Sequence, residues 1–262
     1  MKLSELYDLK NRTALVTGGT GWLGASMVEA LLELGAEVYV SGRNEQKGEE
    51  LLSKLSQKND GRLHFIKMQA ENEFSIAECI RRVAAANNRI DVLINNAYTG
   101  KSSNLESIEL GEWNDALNLG ITSYFLCIKH AIPHMRIGGG SIINIASMYA
   151  SVSPQFSIYE GTPFFSSPAY GAAKAAVIQL TRYTACDLAK YKIRVNSISP
   201  GAFPSIPVQQ SEKFISRLSE KNPLGRIGEP WELKGPVSFL ASSASSYMTG
   251  QNLCVDGGWT TW

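Results

Sequence analysis

Short runs of consecutive apolar residues alternate along the chain with longer stretches in which apolar positions recur at helical spacing. Thr13–Thr17 (TALVT) reads as a first strand, and 25–34 as a helix stopped by Gly35. A second strand follows at 37–41 and a charged amphipathic helix at 45–57. The third strand, 63–68, precedes a helix at 75–86, and a fourth strand opens at 91–94. Residues 112–135 keep the period for one long helix, 141–146 read as strand five, and 169–190 as another long helix. Strand six at 194–198, a helix at 230–242 and strand seven at Asn252–Val255 complete the series. Strands that are apolar throughout must be buried on both faces, and the intervening helices are what covers them. The pattern predicts an α/β, doubly wound parallel sheet of about seven strands. No low-complexity linker or internal repeat interrupts it, so 1–262 is read as a single domain.

Composition narrows the function classes. The chain is 44% hydrophobic, and 25 Lys and Arg oppose 24 Asp and Glu for a net charge of +1. That balance offers no basic surface for nucleic acid or for an anionic membrane. No apolar run is long enough to span a bilayer, and the first residues lack the apolar stretch of a secretory signal. Cys79, Cys127, Cys186 and Cys254 stand singly among apolar neighbours and read as reduced core residues of a cytoplasmic protein. Cys127, His130 and His134 share a helix face without an acidic fourth ligand, so no metal site is expected.

Candidate chemistry gathers at strand ends. Residues 17–24 read TGGTGWLG, between strand one and the first helix. Glycines there let the backbone approach a pyrophosphate, and the helix N-terminus offers free N–H groups and a positive dipole end. Strand two should close on a carboxylate if it is to bind the ribose 2′-hydroxyl of NAD. Arg43 and Asn44 stand there instead, so a 2′-phosphate would meet no repulsion and could take a bidentate contact from Arg43. NADP is therefore expected over NAD; the alternative is that Arg43 is an ordinary solvated loop charge.

Tyr170 and Lys174 lie four residues apart near the start of a long helix, so phenol and ammonium share one face. A free phenol titrates at about 10, and a nearby cation favours the phenolate and lowers that value. Taken alone, such a pair would be an ordinary surface contact. Ser147, however, stands just past strand five, at the end of the sheet where ligands of open α/β folds bind. Asn118, in the helix after strand four, could hold a water or fix the backbone there.

These motifs occur in a fixed order. After Thr17 and its glycines come Asn95-Asn96-Ala97, Asn118, Ser147, Tyr170 with Lys174, and Pro200-Gly201. Asn222-Pro223-Leu224-Gly225-Arg226 and Val255-Asp256-Gly257-Gly258 follow. From about residue 11 to 259 the chain resembles the short-chain dehydrogenase/reductase family in its compact, single-domain, Rossmann-type branch. The resemblance implies that Tyr170 is the general acid or base. It implies that Lys174 binds the nicotinamide ribose and lowers the tyrosine pKa, that Ser147 positions a carbonyl, and that Asn118 holds a relay water. For cofactor binding it implies Gly18, Thr20, Gly21, Leu23, Gly24, Arg43, Asn44, Gln69, Asn96, Ala97, Tyr170, Lys174, Pro200, Gly201 and Phe203. It also implies a homo-oligomer, a tetramer or a dimer. The pattern is further similar to dehydrogenases of bacterial carbohydrate pathways, including flagellin sugar modification.

Three features depart from the family. Trp22 stands where the compact branch has a glycine, and the spacing of Gly18, Gly21 and Gly24 resembles the branch that acts on nucleotide sugars. Gln69 replaces an aspartate that often contacts adenine, though an amide can still hydrogen-bond a base edge. The segment 151–168, between Ser147 and Tyr170, is longer than usual and carries Phe156, Tyr159, Glu160, Phe164 and Phe165. Long loops without secondary structure are often functional lids. The expected activity is interconversion of a ketone and a secondary alcohol by hydride transfer, on a sugar, polyol or related small polar molecule. The alternatives are a nucleotide-sugar epimerase or dehydratase, and a non-catalytic NADP-binding sensor or scaffold.

Overall fold

The computed structural model describes residues 1–56, 60–100 and 103–262. Seven strands form one sheet: β1 (Thr13–Thr17), β2 (Glu37–Gly42), β3 (Leu63–Lys67), β4 (Val92–Asn95), β5 (Gly140–Ile145), β6 (Ile193–Pro200) and β7 (Asn252–Val255). Their order is β3-β2-β1-β4-β5-β6-β7, and every neighbouring pair is parallel. Successive strand residues point to opposite faces. Ala14 and Val16 of β1 join Val38, Val40, Ile143 and Ile198 under the Gly24–Glu33 and Lys234–Ala241 helices. Leu15 joins Tyr39, Leu93, Ile142 and Val195 under the Glu73–Asn87, Ser123–Met135 and Pro168–Leu188 helices. Two apolar layers thus sandwich the sheet, as the continuous apolar strands require. The direction of winding reverses between β1 and β4, and a crevice opens there beyond the carboxyl ends of the strands.

Some boundaries differ from the expectation. The charged helix runs Glu45–Lys54, and Gln57, the end of its expected span, lies outside the described residues. The long helix expected at 112–135 begins at Leu110 and is interrupted by a π-helical turn, Asn118–Thr122. Gly120 sits inside that turn, where a Cβ would come within 2.6 Å of the Ala173 Cβ. The wider turn and the missing side chain together let this helix lie against Pro168–Leu188. Residues 230–242 divide into a 3-10 turn, Pro230–Leu233, and a helix, Lys234–Ala241. A helix at Glu212–Lys221, rich in charge and burying only Phe214 and Leu218, was not expected at all.

The cysteine reading needs correction. Cys79 and Cys127 are buried, but Cys186 and Cys254 are exposed. Cys186 lies on the outer side of the Pro168–Leu188 helix, and Cys254 lies on β7, the edge strand. Apolar sequence neighbours do not report which face a single residue occupies.

Candidate active site

The glycine turn is tied to the chain just past β4. The Thr17 hydroxyl accepts hydrogen bonds from the Asn96 and Ala97 amides at 3.0 and 3.1 Å. The Asn96 side-chain amide donates to the Thr17 and Gly18 carbonyls at 3.1 and 3.0 Å. Gly18 has φ +64°, a conformation that costs a side chain free energy, and a Cβ there would lie 2.8 Å from the Ala97 Cα. Two backbone segments can therefore close on each other only because Gly18 carries no side chain. The result is an open cleft of about 530 Å³ along the crevice.

Most of the expected cofactor residues line this cleft. Gly18, Thr20, Gly21, Leu23 and Gly24 do so from the turn, and Arg43 and Asn44 from the end of β2. Asn96, Ala97, Tyr170, Lys174, Pro200, Gly201 and Phe203 line the rest. Gln69 does not: its side chain is exposed, and Met68 and Ala70 on either side face the cleft instead. Lys47, one helical turn from Arg43, was not anticipated and adds a second exposed cation to the β2 end. An amphipathic-helix reading assigns such a lysine to solvent, and only its position one turn past Arg43 could have pointed to the cleft.

The two late motifs support this wall from behind. The Asn222 side chain donates to the Asp256 carbonyl at 3.1 Å and accepts from the Leu224 amide at 3.0 Å. The Asp256 carboxylate accepts from the Gly258 and Thr260 amides, both at 3.0 Å. The Gly201 amide donates to the Val255 carbonyl at 3.0 Å, so Gly201 is fixed beside the cleft by that knot.

At the other end of the cleft three of the four expected catalytic residues converge. The Ser147 hydroxyl is buried, accepts from the Tyr149 amide at 3.2 Å, and lies near enough to the Tyr170 phenol to favour its ionised form. Burial pushes the Tyr170 pKa up, Ser147 pulls it down, and the balance is upward, with Tyr159 adding to the rise. A depressed phenol was expected beside a lysine; in this structure desolvation wins. Lys174 is only 2% exposed, and its ammonium donates to the Ile145 carbonyl at 2.7 Å and the Tyr124 hydroxyl at 3.0 Å. Burial pushes its pKa down to about 7. The rings of Tyr124, Tyr98 and Tyr170 stand 4.9, 5.2 and 5.9 Å from the ammonium.

Asn118 is not brought to the cleft. It opens the π-helical turn, half-buried, and its side chain makes no hydrogen bond among the described residues. Gly120, two residues on, packs against Ala173 with Tyr98 beside it, and Leu119 is the residue of the turn that lines the cleft. The tyrosines missed by sequence reading, Tyr98 and Tyr124, were hidden because ring-bearing residues in apolar stretches read as core.

The segment 151–168 folds back over this end. Its Tyr159 hydroxyl bonds the Tyr149 hydroxyl at 2.7 Å. Arg217 clamps the backbone on either side of Tyr159, donating to the Ile158 carbonyl at 3.1 Å and the Glu160 carbonyl at 2.6 Å. Tyr159 and Phe164 pack on Phe214, with ring centroids 5.4 and 4.7 Å apart. The unexpected Glu212–Lys221 helix is thus the floor on which the inserted segment rests.

Comparison with known proteins decides the family. The family model described as Enoyl-(Acyl carrier protein) reductase matches residues 21–260. The chain belongs to the short-chain dehydrogenase/reductase family. A 3-oxoacyl-[acyl-carrier-protein] reductase, FabG, from Chlamydia pneumoniae is 31% identical over 254 residues, 96% of this chain and 98% of that protein. Among solved structures, the Pseudomonas aeruginosa RhlG/NADP active-site complex aligns with TM-score 0.89 and 31% identity, over 98% of this chain and 99% of the other. A gluconate 5-dehydrogenase from Burkholderia cenocepacia J2315, in complex with NADP and tartrate, aligns with TM-score 0.89 and 29% identity over 100% of both. This short-chain dehydrogenase/reductase is an oxidoreductase of the nicotinamide-dependent, alcohol–ketone class. Among the described residues no helix is long and apolar enough to cross a membrane.

Proposed function

We propose that the enzyme reduces a ketone with NADPH, or oxidises the matching secondary alcohol with NADP, on a small polar substrate such as a sugar or polyol. The observation that carries this reading is the placement of Tyr170 and Lys174, with Ser147 beside Tyr170, at one end of a cleft whose other end holds Arg43 and Lys47. The cleft fits a dinucleotide, since the approach of Gly18 to Ala97 leaves backbone where a side chain would stand in the way. Arg43 and Lys47 suit a 2′-phosphate, and two of the solved relatives above hold NADP.

The bound nicotinamide would supply or accept the hydride. The Tyr170 phenol gives its proton to the carbonyl oxygen in reduction and takes it back in oxidation. Ser147 donates a hydrogen bond to the same oxygen, so two preorganised donors meet the charge that develops there. Lys174, when charged, favours the phenolate after the proton has left. The inserted segment brings its Tyr159 hydroxyl to that of Tyr149 near Tyr170, a polar pair that would suit a hydroxylated substrate.

The test is a screen of sugars, polyols and ketones with fluorescence detection of NADPH. Turnover should favour NADPH over NADH in kcat/KM, and replacing Arg43 and Lys47 together by serine should cost about tenfold or more with NADPH alone. Tyr170→Phe should retain NADPH binding and lose turnover. A preference for NADH, or full activity in Tyr170→Phe, would overturn the reading.

A further inference from the structure

Lys174 is the most completely buried ammonium in the site, and no carboxylate accounts for it. Its downward pKa shift has burial as its only cause. A buried cation must have its donors satisfied, or it gives up its proton. Two oxygens meet it, the Ile145 carbonyl at 2.7 Å and the Tyr124 hydroxyl at 3.0 Å. Tyr124 is itself 1% exposed and donates its own proton to that same Ile145 carbonyl at 3.2 Å. Ammonium, phenol and carbonyl therefore close a small ring of hydrogen bonds on the core side of Lys174.

The fold builds this ring in a definite way. Tyr124 lies one helical turn beyond Gly120, on the helix that continues from the π-helical turn. The bare Gly120 admits both the Ala173 methyl and the Tyr98 ring. The same close approach of the two helices brings the Tyr124 hydroxyl to the lysine.

We propose that Tyr124 is a positioning residue for catalysis, holding the Lys174 ammonium charged and directed at the cleft. Tyr124 makes no hydrogen bond to Tyr170 and does not itself line the cleft, so it acts through Lys174. The ionisable groups around the ammonium are phenols from three elements: Tyr98 after β4, Tyr124 on the Ser123–Met135 helix, and Tyr170 on its own helix. Cys127, also buried, lies behind Tyr124. Burial raises the pKa of each of these phenols, so none supplies a counter-charge near neutrality. The hydroxyl dipole of Tyr124 and the Ile145 carbonyl are what favour the charged lysine.

The kinetic half of the test rests on the proposed NADPH-linked ketone reduction, and the other half does not. In Tyr124→Phe the ring stays and one acceptor is lost. Ketone reduction by NADPH should fall about tenfold in kcat/KM near neutral pH, with the loss shrinking toward acid, where Lys174 is protonated in both proteins. Tyr98→Phe should not reproduce that pH dependence. Independently of any substrate, the pH at which thermal stability begins to rise, as the buried lysine discharges, should move down by about one unit in Tyr124→Phe. A kinetic loss equal at every pH, or no loss, together with an unmoved stability profile would overturn the role of Tyr124. Absence of ketone reduction by NADPH in the wild-type enzyme alongside a moved stability profile would instead overturn the proposed reaction and leave the anchor standing.

Discussion

A lysine and a tyrosine one helical turn apart are expected to help each other ionise, but here each first confronts its own desolvation. Tyr170 moves up and Lys174 moves down to about 7, so near neutrality the phenol is protonated and the ammonium is poised to lose its charge. The consequence for stability has a definite sign. An unfolded lysine titrates at about 10.4, so between about pH 7 and that value the unfolded chain binds more protons than the folded one. Stability contributed by this group therefore rises with pH across that window, and its cost is greatest below it. Lys174→Met removes the cost while roughly keeping the volume. The melting temperature of Lys174→Met should exceed that of the wild type most at about pH 6, and the gap should narrow toward about pH 10. Differential scanning fluorimetry across that range reads it. A gap that stays constant would mean that the lysine titrates as it does in water.

At the scale of elements, the strands and most helices were legible because continuous apolar runs and the helical period depend only on which residues must leave water. The glycine turn was legible because its meaning comes from standing between a strand and a helix. Legibility ended where a residue's role depends on a partner distant in sequence. Asn118 carries the side chain expected of a catalytic helix, yet it is Leu119 of the π-helical turn that lines the cleft. Gln69 stands just past β3 in the expected place, yet its neighbours Met68 and Ala70 face the cleft. The inserted segment 151–168 was visible as an insertion, but its floor was not, because Glu212–Lys221 buries too few apolar residues to announce itself. That floor carries a prediction. Arg217 is what joins the helix to the backbone on both sides of Tyr159. Arg217→Met keeps the aliphatic stem and deletes two charge-assisted hydrogen bonds. It should raise the substrate KM several-fold with little change in the KM for NADPH, because Arg43, Lys47 and the glycine turn are untouched. An equal rise in both constants would show that the segment serves the whole cleft and not the substrate end.

For the whole molecule, the two helices that form the active site from within also present an apolar face outward. Tyr124 and Lys174 lie on the inner sides of Ser123–Met135 and Pro168–Leu188. On the outer side Phe125 is 48% exposed and Tyr183 69%, and with Ile121, Ala176 and Leu180 they line one shallow depression. A contiguous apolar patch on two packed helices is the usual mark of a protein contact. A patch that two copies can share about a twofold axis suits the homo-oligomer that the family resemblance implies. Association there would clamp the helix pair and with it the ring of Tyr124, Ile145 and Lys174. The wild-type protein should therefore sediment well above its 28.6 kDa chain mass. Phe125→Glu combined with Tyr183→Glu should shift it toward the monomer, since a buried pair of like charges across a twofold contact is strongly unfavourable. Activity of the double variant should fall on dilution, and added NADPH should restore part of it, because a cofactor on Lys174 and a partner on the outer face stabilise the same helices. A wild-type protein that sediments at the chain mass would remove the outer face from the account and leave the two helices to hold the site unaided.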